Sequence, residues 1–305
     1  MEISPHRLRY FQLVLEKGSI RSAAEHVNTR PSVFTRQIQL LEQEIGAALF
    51  ERGPRGAEPT EAAQSLIEYW RGCQAQQEHF EDALQARRSL QRGSVRISVS
   101  EGLAICLMDE VLAKFMARYP TVEIAVHIRA TNEIINDVLE NIAHIGLAYN
   151  PPTTPNIQHQ ASTKHQVVLA VNRDHPLATR RAPLSFGEAI SYPYGLMPSV
   201  YGLGQLMNAI ANAESSTLRP AFTTNSLAVL KQFAKSGNGG AFVTDFSVAN
   251  EVAAGDIVAL PIKHPLLDNQ YIRVLVKSNR PLTCATKELL TWIKTRMTAF
   301  KMPNE

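Results

Sequence analysis

Hydrophobic positions in the first sixty residues recur at helical spacing, punctuated by residues that stop helices. Leu8, Phe11 and Leu15 share a face, Pro5 suits a first turn and Gly18 ends the run, which predicts a helix over residues 5–17. Ser19 can cap a second helix in "SIRSAAEHV", where Ile20, Ala23, Ala24 and Val27 recur at i, i+3, i+4 and i+7. The small Ala23 and Ala24 let another helix approach closely. After the link "NTR", the stretch "PSVFTRQIQLLEQEIGAALFER" buries Phe34, Ile38, Leu41 and Ile45 and turns Ser32, Val33, Thr35, Arg36 and Gln39 outward. Two short helices joined tightly and preceded by a third predict a helix-turn-helix unit. Gly53, Pro54, Gly56 and Pro59 then break helix and permit a two-stranded ribbon carrying Arg52 and Arg55, a basic wing.

The pattern lengthens after Thr60. Thr60 caps and Glu61 suits the dipole of a helix that runs to about Arg88 with Gly72 but no proline. Ala63, Leu66, Trp70, Cys73, Gln77, Phe80 and Leu84 follow a/d heptad spacing and predict a two-stranded dimerisation helix. The other reading is a helix packed on its own domain. "RSLQRGS" is a hinge-like break. From residue 94 strands and helices alternate. "SVRISVS", "VEIAVHIR" and "IGLAY" read as strands, with helices in "LAICLMDEVLAKFMARYP" and "TNEIINDVLENI". "QVVLAVNRDHPLA" begins a second such series, and "YIRVLVK" with "CATKELLTWIKTRM" closes the chain. Two α/β lobes with a ligand cleft between them account for residues 93–305, lobe 1 at about 93–162 and 266–305 and lobe 2 at about 163–265. The wing unit then spans 1–60 and the linker helix and hinge 61–92.

Composition narrows the function classes. At 45% hydrophobic and 19% charged, the chain has an ordinary soluble composition. A net charge of +3 is too small to argue for nucleic acid by itself, so any DNA contact must rest on local arrangement. The three cysteines, Cys73, Cys106 and Cys284, are scattered, with no CxxC or Cys/His cluster to indicate a zinc site. With no signal-peptide pattern and no apolar stretch of transmembrane length, a cytoplasmic location is expected, with no membrane partner. An enzyme reading finds no GxSxG, HExxH or paired catalytic carboxylates; His144 and His175 are isolated, and Cys106 lies on an apolar helix. Gly202 and Gly204 give GxG, but Met207 fills the third position, so there is no dinucleotide fingerprint. "GNGG" at 237–240 precedes a strand and reads as a tight turn. A solute-binding module is the third reading, opposed by the lack of a signal peptide.

The segment "LRYFQLVLEKGSIRSAAEHV…PSVFTRQIQLLEQEIGAALFERGPRG…PTEAA" resembles the LysR-type transcriptional regulators, and "RQIQLLEQEIGAALFER" is the most specific part of it. "ARYPTVEI", "IGLAY", "DHPLA", "TNSLAVLKQFAKSGNGGAFV" and "EVAAGDIVALPI" continue the likeness in order. Three positions depart from it. Arg30 stands where a capping Ser or Thr is usual, Thr35 replaces Ser, and "VTDFS" (243–247) replaces an apolar-Pro strand ending.

The resemblance implies an N-terminal all-α winged helix-turn-helix, a long linker helix and an α/β periplasmic-binding-protein-like effector domain of two lobes. It also implies a dimer or tetramer that reads an interrupted inverted repeat in promoter DNA, answers a small-molecule effector and needs no further cofactor or metal. It allows for RNA polymerase as a further partner. Ser32, Val33 and Arg36 supply a hydroxyl, a methyl contact and a cation for base edges, with Pro31, Thr35 and Gln39 beside them. Arg30, Arg52 and Arg55 suit phosphates. Ligands in open α/β sheets sit beyond the carboxyl ends of strands, which points to Ser100, Glu101, Thr131, Asn132, Ser199, Tyr201 and Thr244. Hydroxyls and helix N-termini suit a small anion, whereas Glu101 would repel a carboxylate or accept from an OH or NH group.

Overall fold

A computed structural model of the chain describes residues 3–53, 56–85 and 93–301. It divides into two compact units, Met1–Glu78 and His79–Glu305. In the first, α1 (Pro5–Lys17), α2 (Ile20–His26) and α3 (Pro31–Ile45) pack on one another, followed by the hairpin β1 (Phe50–Gly53) and β2 (Gly56–Pro59) and by α4 (Glu61–Gln85). The helix ends obey local chemistry. Gly18 and Gly46 take left-handed φ of 70° and 76°, and the Ser19 hydroxyl accepts from the Ser22 amide. The link between α2 and α3 turns on Asn28 at φ 51°. Beyond Gly46, the Glu42 carboxylate accepts the Leu49 amide at 2.8 Å and fixes the path into the hairpin.

The first core holds Leu8, Phe11, Ala23, Ala24, Phe34, Ile38, Leu41 and Leu49. Ala63 and Leu66 are buried in it too, with Trp70 packed against it. The expectation that these three face a partner helix is therefore corrected. Without the first turns of α4, the open side of a three-helix unit this small would leave its apolar core wet, so α4 serves as a fourth wall. This is also why the first unit extends to Glu78, beyond the boundary expected at residue 60.

The second unit is built on two sheets. The first has order β4-β3-β5-β13-β6, from β3 (Gly93–Val99), β4 (Val122–Ile128), β5 (Ile145–Tyr149), β6 (Ile157–Lys164) and β13 (Tyr271–Lys277). Strands β3, β4 and β5 run parallel, while β13 is antiparallel to both β5 and β6. Around this sheet lie α5 (Glu101–Leu107), a π-helical turn (Met108–Leu112) leading into α6 (Ala113–Arg118), α7 (Thr131–Leu139) and, at the chain's end, α12 (Cys284–Arg296).

The second sheet, order β10-β9-β11-β7-β12-β8, comprises β7 (Val167–Asn172), β8 (Leu184–Ser185), β9 (Tyr194–Leu196), β10 (Phe222–Thr223), β11 (Gly240–Thr244) and β12 (Ile257–Lys263). Its helices are α8 (Phe186–Ala189), α9 (Gly202–Ala213), α10 (Leu227–Lys235) and α11 (Ala249–Ala253). Strands β5 and β11 are buried at every position, as expected for strands covered on both faces. The chain crosses between the sheets twice, at residues 165–166 and 264–270. The two crossings are joined by the His165 amide donating to the Gln270 carbonyl at 3.0 Å. Each sheet with its helices is one lobe of an α/β pair, as the alternation of elements predicts.

Candidate DNA-contacting face and effector cleft

Helix α3 anchors itself through Phe34, Ile38 and Leu41, with Tyr10 edge-on to Phe34 at 4.7 Å between ring centres. That anchoring fixes which residues face out. Pro31, Ser32, Thr35, Arg36 and Gln39 are exposed and Val33 is half-buried, so the residues expected on the reading face share one side of the helix. The Thr35 hydroxyl donates back to the Pro31 carbonyl at 3.1 Å, which orients its methyl group outward along the helix. Arg30 occupies the cap position, exposed, and makes no capping bond with its side chain; Thr29 does not cap either. Strand β1 carries Arg52 in the ribbon, paired with Ala57. Arg55 lies outside the described residues, as does the Arg52 side chain.

On α4, the exposed apolar positions differ from the heptad expectation. Phe80 and Leu84 are each 62% exposed, and Tyr69 is exposed as well. Cys73 is half-buried and Gln77 lines a groove of about 910 Å³ with Trp70, Leu13, Tyr10 and Val27. Tyr69, Cys73, Phe80 and Leu84 stand 4, 7 and 4 residues apart, one face of the helix.

In the second unit a cavity of about 60 Å³ lies between the lobes, at the carboxyl ends of β3, β5 and β11. Ser100, Glu101, Thr131, Tyr201 and Thr244 line it, as the strand-end rule predicts. Asn132 and Ser199 do not; both are exposed, the former in the first turn of α7 and the latter in the turn before α9. Sequence reasoning missed Arg129, Tyr149 and the apolar wall of Leu103, Met197, Phe246 and Val243. Tyr149 ends β5, so the same strand-end rule could have found it.

The polar groups of the cleft are mostly occupied. Ser100 Oγ accepts the Tyr149 amide at 3.3 Å and the Thr131 hydroxyl donates to the Tyr149 carbonyl at 3.1 Å. Glu101 Oε1 accepts the Leu227 amide at 2.8 Å, joining lobe 1 to lobe 2. Arg129 Nε lies 3.6 Å from Asp137. The Tyr149 hydroxyl is buried with no hydrogen-bond partner among the described residues. Burial, reinforced by the nearby charge of Asp245, raises its pKa, so it stays protonated and can donate.

The lobes touch closely. A side chain on Gly202 would meet the Tyr149 carbonyl at 3.2 Å, and one on Gly204 would meet the Pro198 carbonyl at 2.2 Å. The GxG pair is thus a packing device at the start of α9. His144 accepts the Arg96 amide on Nδ1 at 3.0 Å, and His175 accepts the Leu177 amide at 3.2 Å, both local ties. Burial raises the pKa of the Cys106 thiol, with Glu110 and Asp109 adding to it.

Comparison with known proteins decides the family. Residues 5–64 match the bacterial regulatory helix-turn-helix protein, lysR family, and residues 88–298 match the LysR substrate binding domain. The chain belongs to the LysR family. This LysR-type chain is 24% identical over 263 residues to the RuBisCO operon transcriptional regulator of Allochromatium vinosum, covering 86% of each protein. Full-length OxyR from Pseudomonas aeruginosa shares its fold at a TM-score of 0.75 and 14% identity, with all of both chains covered. Full-length CbnR complexed with its target DNA matches at 0.59 and 19% identity, covering 96% of this chain and 99% of that one. The LysR-type regulator is accordingly a DNA-binding transcriptional regulator with an effector-binding domain. No helix among the described residues is long and apolar enough to cross a membrane.

Proposed function

We propose that the regulator reads an interrupted inverted repeat in promoter DNA through α3 and answers a small molecule held between the lobes of its second unit. The observation that carries the first half is the exposed face of α3, where a hydroxyl, a methyl-bearing side chain, a guanidinium and an amide stand together with no acid among them. A major groove admits one helix and offers donors, acceptors and thymine methyls to such a face. Arg30 and the wing arginines take phosphates, which position the helix without reading sequence. One helix gives about 1–3 kcal/mol per bidentate base contact, too little to select a site in a genome. Two copies joined through α4 supply the rest.

For self-association the support is the stripe of Tyr69, Phe80 and Leu84, together with the groove beside Trp70 and Leu13. For the effector, the support is a cavity at the strand ends with a buried hydroxyl lacking a partner. Effector and DNA are linked by a coupling free energy, typically about 1–3 kcal/mol and reciprocal. The effector is a transient ligand rather than a resident cofactor, contact with RNA polymerase follows from promoter binding, and the whole cycle runs in the cytoplasm. Selection of genomic fragments by the purified chain at near-physiological salt tests this reading. A few promoter fragments sharing an interrupted dyad are expected. Uniform retention that vanishes with added salt would mean backbone attraction alone.

A further inference from the structure

The following rests on the reading that an effector occupies the cleft, and it concerns that ligand's chemistry. Glu101 is the first residue of α5 in lobe 1, and Leu227 is the first residue of α10 in lobe 2. The Glu101 carboxylate takes the Leu227 amide at 2.8 Å, and the Ser226 hydroxyl stands 3.4 Å from the same oxygen. Ser226, the cap residue of α10, makes no capping bond of its own. A carboxylate at an uncapped helix N-terminus sits where a free anion would otherwise bind. The chain has placed its own anion there, across the lobe boundary.

The other charges around the cavity do not invite a second anion. Arg129 lies beside Asp137, and Asp245 lies close enough to Tyr149 to raise its pKa. Placing another negative charge beside Glu101 in an enclosed site would force one of the two to leave or to take a proton. What remains is a small space walled by Leu103, Met197, Leu203, Val243 and Phe246. Into this apolar setting comes one polar group without a protein partner among the described residues, the hydroxyl of Tyr149, a residue only 6% exposed. A buried hydroxyl of that kind rewards a ligand that pairs with it and penalises one that does not.

We propose that Glu101 fills the cleft's anion position itself, so that the cleft selects a small, mostly apolar, uncharged molecule whose polar group hydrogen-bonds the Tyr149 hydroxyl. Glu101 is then a specificity-determining residue that excludes carboxylates and phosphates, and its bond to Leu227 holds the lobes together before any ligand arrives.

Acetamide and acetate have the same shape and differ in charge, which makes them the probes. Saturation-transfer NMR on the full-length chain is expected to detect acetamide and not acetate at equal concentration. Glu101→Ala is expected to gain acetate binding at least tenfold, because the α10 N-terminus is vacated. Tyr149→Phe is expected to lose most of the acetamide signal and to keep acetate excluded. Where Glu101→Ala fails to fold, Glu101→Ser takes its place, since its hydroxyl is too short to refill the position. Acetate binding the wild-type chain as well as acetamide does overturns the proposal, as does failure of either probe to bind wild type. So does a Glu101→Ala or Glu101→Ser variant that gains nothing. The effector-site reading fails separately: charge selection as described, with a Tyr149→Phe variant whose promoter response to cell extract is unchanged, would place the effector elsewhere.

Discussion

The indole Nε1 of Trp70 donates to the Gln12 side-chain oxygen at 3.0 Å, tying α4 to α1 across 58 residues of sequence. A residue at heptad spacing on a long helix is therefore a fastener within one DNA-binding unit. Trp70→Phe keeps much of the apolar contact and deletes the bond. It is expected to cost about 1 kcal/mol in urea unfolding of the first unit, the usual size of a lost internal hydrogen bond. Sedimentation should be unchanged. Dissociation with no loss of stability would put Trp70 at the interface instead.

Phe80 and Leu84 carry the opposite expectation. Both are largely exposed in the single chain, so a charge there costs little unless a second copy covers them. Phe80→Glu is expected to raise the dimer dissociation constant at least tenfold in analytical ultracentrifugation while the melting temperature of the second unit stays put. An unaltered association constant would remove this stripe from the interface.

His165 sits on the first crossing between the lobes and offers both ring nitrogens to acceptors, Asp245 at 3.0 Å and the Ala299 carbonyl at 2.8 Å. Both contacts are satisfied only by the doubly protonated ring. Burial alone would lower its pKa. The hydrogen bonds to Asp245 and Ala299 and the charge of Asp245 outweigh burial, and the pKa is raised above 6.5. The sign follows from linkage. The stabilisation is full below the unfolded value near 6.5 and is lost as pH rises through the higher folded value. Asp245→Asn keeps an acceptor and removes the charge. The gap in melting temperature between wild type and Asp245→Asn is expected to be widest near pH 6 and to close toward pH 9. A gap independent of pH would contradict this coupling.

What the sequence disclosed, and what it withheld, follows the range of the interactions. Pro5, Gly18, Ser19 and Gly46 act on their own turns, so the helix-turn-helix is legible residue by residue. The α4 stripe misled because heptad spacing does not say what covers a helix. One end of α4 is covered by its own unit, and the exposed face farther along is rotated from Ala63 and Leu66 to Tyr69 and Phe80. In the cleft, strand ends located Ser100, Thr131 and Thr244, while the partner of Glu101 lies 126 residues away and no local pattern reveals it. Asn132 and Ser199 look like Thr131 and Tyr201 in sequence. They miss the cavity because adjacent residues at a helix start point about 100° apart.

The central claim is that α3 reads base edges with Arg36 among its reading residues. The most direct measurement is the affinity ratio between a selected promoter fragment and a random duplex of equal length, at near-physiological salt, for wild type and Arg36→Ala. Loss of a base contact should shrink that ratio by about 1–3 kcal/mol, roughly 5- to 150-fold, and leave binding to random DNA nearly as it was. Equal losses on both duplexes, with a shallower salt dependence, would make Arg36 a phosphate contact and contradict the base-reading face.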